Sequence, residues 1–450
     1  MNRDTTATPV VTRVAPSPTG PFHVGTARTA LFNYLYAKRV RGRFLVRIED
    51  TDKARSTKEF EEDILDGMRL LGLVCDDMVR QSERVEQHAE RLRELVAQDK
   101  AYVSREPSKS DPSVEVEVVR LRNPGTTITF HDEVRGDITF DTGELGDFVI
   151  ARSLRDPLYH FAVVVDDADM GVTHVIRGED HISNTPRQIL IQQALGLPRP
   201  VYAHLPLILA QDRSKLSKRK GATAVADYIA KGYLPSALVN FLALLGWNSG
   251  SDKEVFTLDE LVTAFSLDGV QKGGAVFDVV KLQWLNKQHR LMLPFEEQRN
   301  LMLSHVHGVE GVYDALSNSE AAMHDILERY ATGEELRTAV DSGEFSFYER
   351  RPEVTREMLV WKKDPTPERA GERLAHIVEL LQTIDGDFTT DTVREALNEY
   401  AESEGKGNVL WPMRMALSGK DRSPDPFVLA EALGTIETKA RLKAAIVACS

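Results

Sequence analysis

The chain has 450 residues, 42% of them hydrophobic, and a formal net charge of -13; this is enough chain and apolar content for about three domains of ~150 residues. No apolar run approaches the ~20 residues that span a bilayer, and MNRDTTATPV carries no signal-peptide core, so a cytoplasmic protein without a membrane segment is expected. Cys75 and Cys449 alone exclude a disulfide framework and a Cys/His zinc cluster, and the acidic balance argues against general polyanion binding, leaving the local clusters KRVRGR (38–43), KLSKRK (215–220) and ERR (349–351) to carry any anion contacts.

Val10, Val11, Arg13 and Val14 read as a strand, and the following stretch, APSPTGPFHVGTARTALFNYL, is a Pro/Gly loop that runs into a helix. Ala27, Ala30, Leu31, Tyr34 and Leu35 fall on one face of that helix. Its first turn offers free N–H groups and a positive dipole end, which attract phosphate, and His23 stands at that mouth. A capping or surface histidine is the alternative that one motif leaves open. GRFLVRIEDTD reads as a buried strand ending in Glu49, Asp50 and Asp52, and STKEFEEDILDGMRLLG as a helix with Phe60, Ile64, Leu65, Met68 and Leu71 on one face and Gly72 as its stop.

Residues 74–158 lose this rhythm and read as an insertion with antiparallel β content. The βα pattern resumes with FAVVVDDADMGVTHVIRGEDH and a helix in TPRQILIQQALG, for which Thr185 is the expected N-cap, Pro186 the first helical residue and Gln188 the partner in a capping box. Strand HLPLIL follows, then the loop QDRSKLSKRKG, and beyond about residue 225 the chain reads as helical to its end. A parallel sheet split by an insertion is the simplest account. The basic loop would set a flexible lysine opposite the helix mouth at His23, a cradle for a triphosphate; a solvated surface run is the alternative.

APSPTGPFHVGT resembles the first signature of the class I aminoacyl-tRNA synthetases and KLSKR the second, while VRIEDTD and THVIRGEDHISNTPRQ are similar to the glutamyl branch in particular. Thr26 and Leu216 replace the more widespread histidine and methionine of the two signatures, as is ordinary for that branch. The resemblance implies an α/β fold: a Rossmann-like parallel-sheet catalytic domain (1–73 and 159–212) split by an α+β insertion (74–158), a stem-contact domain carrying the KLSKR loop (213–294) and an all-α anticodon-binding domain (295–450). It implies ATP-dependent activation of L-glutamate to an adenylate, with Mg²⁺ accompanying the nucleotide, and transfer to the 3′-terminal adenosine of tRNA(Glu) by a monomer.

On that resemblance His23, with Gly25 and Thr26, holds the phosphate and ribose side of ATP, and Lys218, helped by Lys215 and Ser217, neutralises the leaving pyrophosphate. Arg13 and Arg177 are placed at the amino-acid site, where a planar guanidinium is the natural reader of a carboxylate. Glu49 takes the ammonium group, and Ser17 and Tyr159 line the same pocket; a salt bridge between Arg13 and Glu49 at neighbouring strand ends is the bland alternative. Arg350, Arg351 and Arg414 are the candidate tRNA contacts, with Phe345, Phe347, Trp411 and Met413 either stacking on bases or packing the core. A glutaminyl enzyme, which would carry a β-barrel tail, and a non-catalytic tRNA-binding relative are the competing readings. Many relatives carry a cysteine-rich zinc knuckle where this chain reads AYVSREPSKS, and the stretch between GLVCDD and RQSER is short, so no zinc is expected. Elemental analysis of protein purified without added metal should find well below one zinc per chain, and a stoichiometric content would contradict the cysteine argument.

Overall fold

The β-branched run after Pro9 forms strand β1 (Val11–Val14), buried along its whole length. In the computed structural model, which describes residues 9–107, 111, 113–216, 224–364 and 366–449, helix α1 (Val24–Arg39) follows, capped by His23, whose Nδ1 accepts from the Gly25 amide at 3.0 Å. Strand β2 (Arg43–Ile48) returns parallel to β1, with Val11 opposite Arg43 and Val14 opposite Val46. A Cβ on Gly42 would lie 2.2 Å from the Val10 carbonyl oxygen, so the turn into β2 admits no side chain. Helix α2 (Lys58–Leu70), capped by Thr57, leads to β3 (Asp77–Arg80), which pairs in parallel with β2. The parallel rhythm therefore continues past residue 74, where the sequence reading lost it.

Helix α3 (Val85–Ala97) precedes an antiparallel sheet of β4 (Ala101–Pro107), β5 (Glu115–Leu121), β8 (Phe148–Ser153) and β9 (Asp156–Pro157). Between β5 and β8 stands the hairpin of β6 (Thr127–Asp132) and β7 (Gly136–Asp141). The run FAVVV lies in helix α4 (Tyr159–Asp169), buried continuously from Phe161 to Asp167. An apolar run buried on all sides has no polar stripe, so its period cannot separate strand from helix.

Strand β10 (His174–Gly178), helix α5 (Thr185–Leu195) and strand β11 (Val201–Leu205) complete the parallel unit, with β10 and β11 in register from His174–Val201 to Gly178–Leu205. The Thr173 amide donates to the Val11 carbonyl (3.0 Å) and the Val11 amide to Thr173 Oγ1 (2.8 Å), setting β10 beside β1. The insertion hairpin joins this sheet, since Asp132 of β6 pairs with Tyr202 of β11 and the Glu133 amide donates to the Tyr202 carbonyl (2.8 Å). Thr185 is not the N-cap of α5. It is already helical, behind Asn184, and no side chain caps this end; its hydroxyl is used by Arg177 instead.

Strand β12 (Ile208–Leu209) pairs in parallel with β13 (Ala275–Val276), and α6 (Val225–Ala230), α7 (Pro235–Leu244) and α8 (Leu258–Ala264) lie between them in sequence. By its internal contacts the chain forms two units, Met1–Leu285 and Asn286–Ser450. The described residues of the second unit are helical with no strand, around a core that includes Leu374, Leu397, Met413, Phe345 and Phe347. Among the described residues no helix is long and apolar enough to cross a membrane.

The first unit buries an ionic cluster where β1, β2, α3 and α4 meet. Asp167 accepts from Arg13 through Nε (3.0 Å) and Nη2 (3.2 Å) and from Arg47 Nη1 (2.5 Å), while Arg47 Nη2 donates to Glu49 (3.0 Å). Its neighbour Asp166 receives Arg84 Nε (2.6 Å), Gln81 Nε2 (2.8 Å) and His88 Nε2 (2.7 Å). Burial alone would raise the Asp167 carboxyl, but Arg13 and Arg47 outweigh it and hold the group at about 2. Burial also lifts Glu49, and there it prevails over the pull of Arg47 and Arg13.

Removing one member of such a buried cluster strands the rest. Arg47→Met should cost ~3–5 kcal/mol in urea unfolding, and a loss below ~1 kcal/mol would show that the cluster does not hold these elements together. The stabilisation from Asp167 is in force above its unfolded value of ~3.9 and is lost as the pH falls toward its folded value of about 2. The acid transition of Arg47→Met should therefore begin at higher pH than that of the wild type.

Candidate active site

Open parallel sheets bind ligands at the carboxyl ends of their strands, where neighbouring connections leave in opposite directions. Here β1 lies between β2 on one side and β10 on the other, and a cavity of about 410 Å³ opens beyond these strand ends. Arg13, Ser17, His23, Gly25, Thr26, Glu49, Tyr159, Arg177 and Lys215 all line it. Ser217 and Lys218 lie outside the described residues.

Backbone geometry places each group. Arg13 is the third residue of β1, and the Pro/Gly loop that leaves the strand carries Ser17 and leads to His23. Glu49 follows β2 directly, its amide donating to the Pro16 carbonyl (2.9 Å), which ties the strand end to that loop. Tyr159 opens α4 and its hydroxyl meets His181 Nδ1 at 3.1 Å. Lys215 bridges back to Leu209, with its ammonium 3.6 Å from Asp180. The salt bridge between Arg13 and Glu49 is not formed: Arg13 goes to Asp167 and Glu49 to Arg47.

His23 serves as a cap and as a cavity wall at once. Because Nδ1 accepts the Gly25 amide, the ring proton of the neutral imidazole belongs on Nε2. The capping alternative is thus met by a side chain that also lines the cavity.

Arg177 differs from Arg13 and Arg47, whose guanidinium groups are bonded to Asp167. It is 5% exposed, and its Nε donates to His204 Nε2 (3.2 Å) and its Nη2 to Thr185 Oγ1 (2.9 Å), both neutral acceptors. Its Nη1 is buried without a hydrogen-bond partner, and among the described residues the guanidinium forms no ion pair. Burial lowers its pKa, as expected of a cation without an adjacent carboxylate. An unpaired buried cation on a cavity wall is costly unless an anion completes it.

Sequence reasoning missed Arg47, Asp166, Asp167, Asp132, His204 and Arg28. Arg28, on α1, lines the cavity and donates to the Leu245 carbonyl (3.2 Å) and the Pro206 carbonyl. The available signals were a charge inside the apolar strand RFLVRI and paired aspartates ending VVVDD.

Arg350 is exposed, Arg351 donates twice to Glu437 (2.8 Å each), and Arg414 is half-buried with Nη1 on the Ser423 carbonyl (2.6 Å). Phe345, Phe347 and Met413 are at most 2% exposed and belong to the core. Trp411 is half-buried, with its indole donating to the Met358 carbonyl (3.0 Å). The base-stacking alternative is thereby removed for Phe345, Phe347 and Met413.

Two family descriptions match the chain. "tRNA synthetases class I (E and Q), catalytic domain" covers residues 9–111 and 105–284, and "Anticodon binding domain" covers residues 300–446. The chain is 38% identical to the glutamate–tRNA ligase of Desulforamulus reducens, over 96% of this chain and 99% of that one. It is 41% identical to glutamate–tRNA ligase 1 of Syntrophus aciditrophicus, over 96% of each. The crystal structure of a glutamate tRNA ligase from Elizabethkingia meningosepticum in complex with its amino acid superposes with a TM-score of 0.84 at 28% identity, covering 98% of this chain and all of that one. With its parallel sheet, its split catalytic unit and matches over nearly its whole length, the chain belongs to the class I tRNA synthetases of the E and Q group.

Proposed function

We propose that the enzyme activates L-glutamate with ATP and esterifies the product to tRNA(Glu). The observation that carries the reading is the pairing, in one cavity, of an uncompensated guanidinium at Arg177 with a helix mouth at His23 and a lysine at Lys215. One end suits a carboxylate side chain, and the other suits polyphosphate. The glutaminyl alternative called for a β-barrel tail, whereas the described residues after Asn286 contain helices and no strand.

In the first step the α-carboxylate of glutamate attacks the α-phosphate of ATP, and pyrophosphate leaves. Charge accumulates on the transferring phosphoryl and on the leaving group, so positioning and electrostatic stabilisation supply most of the rate. His23, through its Nε2–H, and the Thr26 amide hold the phosphate side, with the Gly25 amide orienting the His23 ring, and Lys215, Ser217 and Lys218 neutralise the pyrophosphate. Mg²⁺ enters with ATP, held largely by the phosphates themselves, and is part of that substrate. Ser17 and Tyr159 shape the amino-acid pocket, and Glu49 accepts from the substrate ammonium.

In the second step a ribose hydroxyl of the terminal adenosine, the 2′-hydroxyl in this class, attacks the mixed anhydride, and AMP departs. Arg350, Arg351 and Arg414 remain the proposed tRNA contacts of the helical unit. In this reading the enzyme works as a monomer in the cytoplasm, where tRNA and ATP are at hand.

The two amino-acid arginines should separate on mutation. Arg13 is engaged by Asp167 through two bonds, so Arg13→Gln should damage folding as well as binding. Arg177→Gln should cost glutamate ~3–5 kcal/mol in kcat/KM, measured by tRNA-dependent pyrophosphate exchange, because the ligand carboxylate would be buried against one cation fewer. Glutamine should lose less; equal losses would mean that Arg177 does not read the side chain. Lys218→Ala should slow activation by ~10²-fold with little change in glutamate affinity, and a fall of less than ~threefold would remove that loop from the chemistry.

A further inference from the structure

Arg177 is held from behind by a chain of two side chains to which the reaction gives no part. His204, the fourth residue of β11, and Asp132, the last residue of β6, are both completely buried. Asp132 Oδ2 lies 2.5 Å from His204 Nδ1, and its Oδ1 accepts the amides of His204 (3.2 Å), Val134 (3.0 Å) and Arg135 (2.9 Å). A carboxylate with this many donors stays ionised and can only accept, so Nδ1 carries the imidazole proton.

The other ring nitrogen is fixed as firmly. Arg177 Nε can only donate, so at 3.2 Å it requires a bare lone pair on His204 Nε2. A second proton there would set two donors and two cations face to face. The ring also stacks on Tyr202, with a centroid separation of 6.2 Å and planes 13° apart, which restricts its rotation. Thr185 Oγ1 takes Arg177 Nη2 at 2.9 Å and passes its own proton to the His181 carbonyl or to His204 Nε2, each 3.3 Å away.

The choice of partners has a consequence for charge. Arg13 and Arg47 are bonded directly to Asp167 and are neutralised locally. The nearest bonded carboxylate to Arg177 is one imidazole away. A carboxylate in place of His204 would hold the guanidinium as well but would pair it before any ligand arrived. The neutral ring holds the Nε edge and leaves the cation uncompensated: Nη1 is buried without a hydrogen-bond partner, on a residue that lines the cavity.

We infer that Asp132 and His204 are positioning residues for Arg177: the carboxylate sets the imidazole tautomer, and the bare Nε2 fixes the guanidinium so that Nη1 is left for the amino acid's side-chain carboxylate. This rests on the glutamate reading given above. It also assigns a role to the insertion, since Asp132 belongs to the β6–β7 hairpin.

The test uses the full chain and three enzymes, the wild type, His204→Phe and His204→Gln. The phenyl ring keeps the bulk without an acceptor, and the glutamine amide oxygen can still accept from Arg177. In tRNA-dependent pyrophosphate exchange, His204→Phe should raise the glutamate KM by ~10-fold or more, the effect of losing a hydrogen bond to a charged group, with the ATP KM unchanged. His204→Gln should recover most of that loss. A glutamate KM unchanged in His204→Phe, or glutamate and ATP KM values that rise together without recovery in His204→Gln, would overturn the inference. Imidazole ¹⁵N spectra of histidine-labelled protein, with the signal assigned by its absence from His204→Gln, give a readout that needs no activity. They should show His204 with Nδ1 protonated and Nε2 bare at neutral pH, and a protonated Nε2 would equally overturn it. A wild type that exchanges no pyrophosphate with glutamate would sink the functional reading instead, and the spectrum would still decide the role of His204.

Discussion

Asp167 lies between two buried guanidinium groups, and the geometry of the cavity follows from that arrangement. The carboxylate is on α4, Arg13 on β1 and Arg47 on β2, so one group of charges fixes the distances among three elements. Arg47 then reaches Glu49, which lines the cavity, so the same cluster orients both an arginine and a carboxylate of the pocket. Hydrophobic packing alone would bring these elements together without fixing the directions of their polar atoms. Buried ion pairs are a poor source of net stability, and their value here is directional.

Set against this saturated cluster, Arg177 is conspicuous for what it lacks. Arg13 and Arg47 are bonded to Asp167, whereas Arg177 is left with neutral acceptors. That asymmetry gives selectivity a physical basis. A neutral amide leaves a buried cation unpaired, whereas a carboxylate completes it. Glu49, of opposite sign, lines the same cavity.

Local signals in the sequence carried the helix mouth that opens on the cavity. The Pro/Gly loop, the helix start and His23 lie within a few residues of one another, and their arrangement follows from short-range rules. The pocket positions matched through the resemblance, Arg13, Ser17, Glu49, Tyr159 and Arg177, also converge on one cavity. What could not be read was the set of partners. Arg13 meets Asp167 across 154 positions and His204 meets Asp132 across 72, and no local pattern announces such pairs. Helix α4 was obscured because β-branched residues buried on every side carry no period. The cap of α5 was misplaced for a related reason: Thr185 has the right chemistry for an N-cap, but a tertiary partner, Arg177, takes its hydroxyl. In the helical unit Phe345 and Phe347 resemble candidate stacking residues until their burial places them in the core.

The central claim is that a ligand carboxylate completes Arg177, and a crystal structure of the protein with L-glutamate bound tests it most directly. The account predicts that a side-chain carboxylate oxygen lies within hydrogen-bonding distance of Nη1, ~2.7–3.0 Å, with the bonds to His204 and Thr185 retained. A glutamate whose side chain lies elsewhere in the cavity, with Nη1 turned onto a protein group, would contradict it.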